Sequence, residues 1–141
     1  MAKILLVEDD NNLREIYEAR LQAEGYDIVA AKDGEEALDF LFAMGKFKGS
    51  RDVNNVPKVV LLDIQMPKVN GIEVLQQIKA DERTRATPVV ILTSSKEDPD
   101  IQKCYQLGAN SYIVKPVNFE RFAEAIKNLG FFWLLLNQPP L

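Results

Sequence analysis

Short runs of apolar residues alternate along the chain with longer stretches in which apolar residues recur every three or four positions. The short runs are typical of buried strands, whereas the longer spacing is typical of helices with one apolar face. Strands that alternate with helices, joined mostly by short connections, predict a doubly wound α/β fold: a five-stranded parallel sheet flanked by five helices. The predicted strands are Lys3–Val7, Tyr26–Ala30, Val59–Leu62, Val89–Leu92 and Ser111–Val114.

Residues that favour helix starts mark the predicted helices. Asp33 with Glu36 three positions later forms a capping-box pattern, and Pro99 after Asp98 suits the first turn of a helix. The helices are expected to begin near Asn11, Asp33, Gly71, Asp98 and Asn118. Their apolar faces include Leu13, Ile16, Tyr17, Leu21, Phe119, Phe122 and Ile126, and Ile101, Cys104 and Tyr105 are expected to face inward or half-inward.

We expect residues 1–130 to form one domain, because no repeat or boundary interrupts the alternating pattern. Within it, Lys46–Pro57 is polar, turn-rich and longer than most connections, so we interpret it as an exposed loop. Residues 131–141 then form an apolar C-terminal extension beyond the helix-breaking Gly130.

The composition limits the classes of function. Of 141 residues, 47% are hydrophobic and 27% are charged, and the net charge of -4 argues against general nucleic-acid binding. The N-terminal apolar run is too short for a signal peptide or a membrane span, and one cysteine allows no intramolecular disulfide. We therefore expect a cytoplasmic protein without DNA or membrane partners. Histidine is absent, which removes Ser–His and Cys–His nucleophile pairs and histidine-ligated zinc.

Polar residues follow the predicted strands at their carboxyl ends. They are Glu8, Asp9, Asp63, Thr93 and Lys115. Because parallel strands hold ligands at this edge, we expect these side chains to converge. Carboxylates about 4 Å apart repel by roughly 4 kcal/mol per pair at an effective dielectric near 20, so the cluster calls for a hard divalent cation such as Mg²⁺. Asp63 is then a candidate nucleophile toward a phosphoryl group.

Four motifs in this order, LLVEDD, LLDIQMPKVNG, ILTSS and YIVKP, resemble those of response regulator receiver domains. The resemblance runs from Lys3 to about Leu129. It implies a signalling domain that catalyses only its own phosphorylation and dephosphorylation, fed by the phosphohistidine of a separate sensor histidine kinase.

The resemblance also implies a role for each site residue. Asp63 would be the phosphoacceptor, with Thr93 hydrogen-bonded to the phosphoryl group and Lys115 paired with it. Magnesium would be held by Asp9, by Asp63, by the Gln65 backbone carbonyl and, through water, by Glu8. The remaining implied features are a cis peptide at Lys115–Pro116 and an aromatic switch at Tyr112, which moves together with Thr93.

Six consecutive apolar residues lie in the extension, from Phe131 to Leu136. Aromatic side chains of this size are rarely left in water, so the extension either folds back on its own domain or forms a self-complementary dimer contact. We favour the dimer, through the last helix together with Phe131, Phe132 and Trp133.

A narrower resemblance rests on the long loop, the KPVNFERF segment and the FFWL extension. These resemble the small stand-alone receivers that serve cyanobacterial phytochrome-type kinases, whereas the first forty residues read more like receivers of DNA-binding regulators. We expect no attached output domain, and therefore output through a downstream protein bound near the fourth helix, fifth strand and fifth helix.

Three other functions are weighed against this one. A phosphatase with an aspartyl nucleophile typically needs a second Asp two positions on, where Gln65 stands. Nucleotide binding is not supported, because the sequence contains no Walker A or GxGxxG motif. The alternative that stays open is a phosphorylation-independent dimeric interaction module. Cys104 has no nearby histidine or second cysteine, so we interpret it as a packing residue.

Overall fold

A computed structural model describes residues 3–53, 55–66 and 69–128, without the side chains of Ile126 and Asn128. In these residues, five strands form one parallel sheet in the order β2-β1-β3-β4-β5, which confirms the predicted fold class. The strands are β1 (Lys3–Val7), β2 (Asp27–Ala31), β3 (Val59–Asp63), β4 (Val89–Thr93) and β5 (Ser111–Val114). The helices are α1 (Asn11–Ala23), α2 (Gly34–Leu41), α3 (Gly71–Ala80), α4 (Asp100–Gln106) and α5 (Phe119–Asn128).

Strands β3 and β4 are apolar up to their last residues, Asp63 and Thr93, because both faces of the sheet are covered. Successive residues of a strand point to opposite faces, so Leu61 belongs to one core cluster and Leu62 to the other. The first cluster includes Tyr17 and Leu21 of α1 together with Phe122 of α5. The second includes residues of α2 and α3 and the buried Cys104 of α4, which confirms its packing role. None of the described helices combines the length and the apolar character needed to cross a membrane.

The register of the sheet aligns the carboxyl ends of the strands. Val7 pairs with Leu62, Asp63 with Leu92, and Thr93 with Val114. Residues that follow these positions therefore emerge at the same edge, which places the acids after β1, the end of β3 and the end of β4 side by side.

One helical residue, Ile16, and one helix start differ from the prediction. Ile16 is 44% exposed, because it lies about 100° around α1 from the buried Tyr17 and so falls beside the apolar stripe. Tyr105, expected to face inward or half-inward, is 43% exposed and forms an edge-on ring pair with Tyr112. Helix α4 begins at Asp100 rather than at Pro99, although the Asp98 carboxylate still accepts the Asp100 N–H at 2.9 Å.

Part of the long connection before β3 packs against α2 instead of being fully exposed. Gly45–Phe47 forms a single 3-10 turn, and the Phe47 ring meets the Phe40 ring edge-on at 5.3 Å. The Arg51 guanidinium lies 4.2 Å from the centre of the Phe40 ring, on which it stacks as a cation. The sequence pattern missed this because isolated aromatic and basic residues carry no periodicity.

Candidate functional site

A cleft of about 250 Å³ opens at the carboxyl edge of the sheet. The strand ends supply most of its polar lining, as the sequence predicts. Those polar residues are Glu8, Asp9, Asp10, Asp63, Gln65, Thr93, Ser94, Asp98 and Lys115.

Asp63, the last residue of β3, is 4% exposed. Its Oδ1 accepts the Gln65 backbone N–H at 3.0 Å, and its Oδ2 accepts from Lys115 Nζ at 2.9 Å. Gly71 at the start of α3 lies directly against the backbone of Asp63 and Ile64, where a Cβ atom would collide with both. The close approach of α3 therefore fixes the end of the strand and, with it, the aspartate.

Lys115 bridges two carboxylates. Its Nζ lies 2.7 Å from Glu8 Oε1 and 2.9 Å from Asp63 Oδ2, and its backbone N–H donates to the Thr93 carbonyl at 2.8 Å. The Lys115–Pro116 peptide bond is cis. Burial acts to lower the pKa of Lys115, but the two carboxylates outweigh burial and raise that pKa overall. The ammonium is therefore held charged in the cleft.

Glu8 is fully buried, which is unusual for a glutamate. Burial, followed by the closeness of Asp63, raises the pKa of Glu8 to about 7. Its Oε2 accepts the Asp10 N–H at 3.3 Å. Its Oε1 faces Lys115 as an ion pair, but not at the angles of a hydrogen bond.

Glu8, Asp9 and Asp63 offer carboxylate oxygens that all lie within 4.8 Å of one another. The buried Oε1 of Glu8 accepts no hydrogen bond from the described residues, and it lies next to the exposed carboxylate of Asp9. This is a donor set suited to a hard divalent cation. The predicted metal residues therefore fit Mg²⁺. Gln65 lines the same cleft, beside Asp63.

Thr93 and Tyr112, which by the family resemblance would act together as a switch, lie in different surroundings. Thr93 is 2% exposed and lines the cleft, where its hydroxyl donates to Asp98 Oδ2 at 3.0 Å. Tyr112 is half-buried and lines a separate hollow of about 340 Å³, next to Tyr105 and Arg121. Asp98 also lines the cleft, although the sequence pattern predicts it only as the start of a helix. The pattern could not predict this role, because the spacing of residues does not indicate which side chains meet across the turn between β4 and α4.

The predicted extension, residues 131–141, lies outside the described residues. So do the proposed dimer residues Phe131, Phe132 and Trp133 within it.

The sequence matches the model of the response regulator receiver domain family over residues 4–127. It is 40% identical over 139 residues to the probable methanogenesis regulatory protein FilR2 of Methanothrix harundinacea, covering 97% of this chain and 86% of the relative. It is also 37% identical to the transcriptional regulatory protein CpxR of Escherichia coli over 90% of this chain, but spans only 48% of that protein.

Solved structures of phytochrome-associated receivers resemble the fold. The bacteriophytochrome response regulator RtBRR shares 45% identity with a TM-score of 0.85, covering 99% of this chain and 84% of that one. The phosphorylated cyanobacterial phytochrome response regulator RcpA shares 32% identity with a TM-score of 0.76, covering 99% of each chain. These matches confirm the predicted resemblance, with higher identity to the bacteriophytochrome protein than to the cyanobacterial one.

Proposed function

The chain belongs to the response regulator receiver domain family, and on that premise we propose that it accepts a phosphoryl group on Asp63 in a Mg²⁺-dependent transfer. One observation carries the proposal: Lys115 Nζ lies 2.9 Å from Asp63 Oδ2 at the edge of the acidic cluster. An ammonium held beside a buried carboxylate can stabilise the negative charge of a phosphoryl group arriving there.

In the proposed step, a carboxylate oxygen of Asp63 forms a bond to phosphorus while the phosphorus–nitrogen bond of a phosphohistidine breaks. The imidazole leaves with the bonding electron pair. The histidine belongs to a partner because this sequence contains none. Lys115 already contacts Asp63, so it needs no large movement to pair with the phosphoryl oxygens.

Bound Mg²⁺ would neutralise the acids and the incoming phosphoryl oxygens. Asp9, Asp63 and the backbone carbonyl of Gln65 would hold it, with Glu8 acting through water. The hydroxyl of Thr93 is assigned to one phosphoryl oxygen. The domain thus catalyses its own phosphorylation and dephosphorylation, without turnover of a separate substrate.

We assign the phosphoryl donor to a sensor histidine kinase of the phytochrome type, because RtBRR and RcpA are described as phytochrome response regulators. The proposed output is a protein-binding surface on α4, β5 and α5 that changes with Thr93 and Tyr112. The hollow beside Tyr112 lies on that surface. The free, buried thiol of Cys104 suits the reducing cytoplasm in which we place the protein.

The second part of the proposal is a homodimer through α5 and residues 131–141. The apolar run Phe131–Leu136 supports it, since such a run is unfavourable in water. Residues 1–130 would then be the receiver and residues 131–141 the dimer contact.

Intact-protein mass after incubation with Mg²⁺ and acetyl phosphate tests the transfer. We expect the gain of one phosphoryl group, and no gain in Asp63→Asn or in the presence of a chelator. Asp27→Asn, which removes an exposed carboxylate at the start of β2, is the matched control and should be phosphorylated normally. A folded wild-type protein that gains no mass would favour a phosphorylation-independent interaction module instead.

A further inference from the structure

The hydroxyl of Thr93 is already engaged. It donates to Asp98 Oδ2 at 3.0 Å and lies 3.1 Å from the Ser95 carbonyl, both in the turn that follows β4. The other carboxylate oxygen of Asp98 accepts the N–H of Asp100, the first residue of α4, at 2.9 Å. One carboxylate therefore connects the buried threonine to the start of a helix.

A threonine hydroxyl carries a single hydrogen, so it makes one strong donated hydrogen bond at a time. An ionised carboxylate is a stronger acceptor than a backbone carbonyl, which favours Asp98 over Ser95 as its partner. A phosphoryl group on Asp63 would need the same hydrogen. The two anions are therefore mutually exclusive partners of Thr93.

We infer that Asp98 is a positioning residue that competes with the phosphoryl group on Asp63 for the Thr93 hydroxyl, and thereby lowers the affinity of the site for that group. The inference rests on the proposed function. It also makes Asp98 a link between Thr93 and α4, because release of Thr93 leaves the Asp100 N–H as the remaining hydrogen-bond donor to this carboxylate among the described residues.

Binding of beryllofluoride, a phosphoryl mimic, in the presence of Mg²⁺ measures the competition. The proteins are wild type, Asp98→Ala, Thr93→Val and the double variant, with the full chain used throughout. Asp98→Ala is expected to bind the mimic about three- to tenfold more tightly than wild type, since the hydroxyl no longer has to leave a charged acceptor. In the Thr93→Val background the same change should alter affinity less than about twofold.

This comparison separates competition from the other effects of removing Asp98. Loss of the helix-start hydrogen bond and loss of a negative charge occur in both backgrounds, whereas the competition requires the hydroxyl. Glu97→Ala removes a neighbouring exposed acid and should leave affinity unchanged. Asp98→Asn keeps an acceptor for the Asp100 N–H and should tighten binding less than Asp98→Ala. Equal tightening in both backgrounds, or no tightening in wild type, would overturn the inference.

A second measurement needs no phosphoryl chemistry. In the free protein, Thr93→Val should shift the NMR resonance of the Asp100 amide, because the carboxylate bonded to that amide loses its hydroxyl partner. An unmoved resonance would refute the contact itself. If the Asp100 resonance differs between wild type and Thr93→Val but the wild-type protein binds no beryllofluoride, the contact stands and the proposed phosphoryl site is refuted. The two failures are therefore distinguishable.

Discussion

Lys115 compensates the negative charge of two buried acids, Glu8 and Asp63. Removing one partner from a buried ion pair leaves an uncompensated charge, which typically costs about 3–5 kcal/mol. We expect Lys115→Met to lower the free energy of unfolding by about 3 kcal/mol at pH 8, near the low end because the lysine side chain is 21% exposed. Urea denaturation measures the loss.

The pH dependence of that loss follows from Glu8. Its pKa is about 7, above the ordinary value of 4.5, so its proton is retained in the folded state over the interval in which the unfolded state releases it. Below pH 7 Glu8 is increasingly neutral and needs less compensation, so the cost of Lys115→Met should shrink toward pH 5. Lys46→Met, which breaks an exposed pair with Glu36, is the control and should cost below about 1 kcal/mol. Equal, pH-independent losses for the two variants would contradict the argument.

The buried thiol of Cys104 allows a second prediction at the residue scale. Its contribution to the pH dependence of stability can be measured by comparing wild type with a variant that lacks the thiol. Burial, followed by the negative charge of Asp100, raises the pKa of the Cys104 thiol from 9.0 to about 11. Above pH 9 the unfolded thiol ionises while the folded thiol does not, so folding stability falls as the pH rises toward 11, by as much as roughly 3 kcal/mol. Urea titrations across this range should show a steeper fall for wild type than for Cys104→Ala. Parallel curves would mean that the thiol titrates normally.

At the scale of elements, the approach of α3 to the end of β3 depends on one missing side chain. A Cβ at Gly71 would collide with the backbone of Asp63 and Ile64, and backbone cannot move aside as a flexible side chain can. We expect Gly71→Ala to destabilise the protein by about 1–3 kcal/mol and to shift the Asp63 amide resonance, since the strand end must move.

Gly49→Ala is the matched control for that substitution. Gly49 has a φ of +79° with open space around it, so alanine there meets backbone strain but no collision. A loss of about 1 kcal/mol with an unmoved Asp63 resonance is expected for this control. If both variants moved the Asp63 resonance equally, the close packing at Gly71 would not be what fixes the strand end.

The elements that the sequence predicts well are those with a strong local pattern. The continuous apolar run of β3 and the capping pattern at Asp33 both lie where expected, because burial on two faces and a capping hydrogen bond are each determined within a few residues. The predictions for Ile16 and for the turn at Phe47 were wrong because the exposure of these residues is not determined locally. It depends on which neighbouring element covers them, and residue spacing does not indicate that.

The site follows the same division at the scale of the whole molecule. That Glu8, Asp63, Thr93 and Lys115 converge is predictable from topology alone, because parallel strands present their carboxyl ends at one edge. The complete burial of Glu8 and the hold of Asp98 on Thr93 are not predictable in this way. Both arise from distances between segments far apart in sequence or across a turn, which only the folded chain defines.

The proposed dimer involves two whole chains and depends on residues outside the described ranges. Burying three aromatic side chains of 150–250 Å² each would contribute on the order of ten kcal/mol of gross transfer free energy, as an upper bound. We therefore expect the full chain to have twice the monomer mass in light scattering. A chain ending at Leu129 should have the monomer mass, as should Phe131→Ser with Phe132→Ser. Asn137→Ser, in the polar end of the extension, should remain dimeric. An extension that folds back on its own domain gives a different result, because its removal would lower the unfolding midpoint of a protein that is monomeric both before and after truncation.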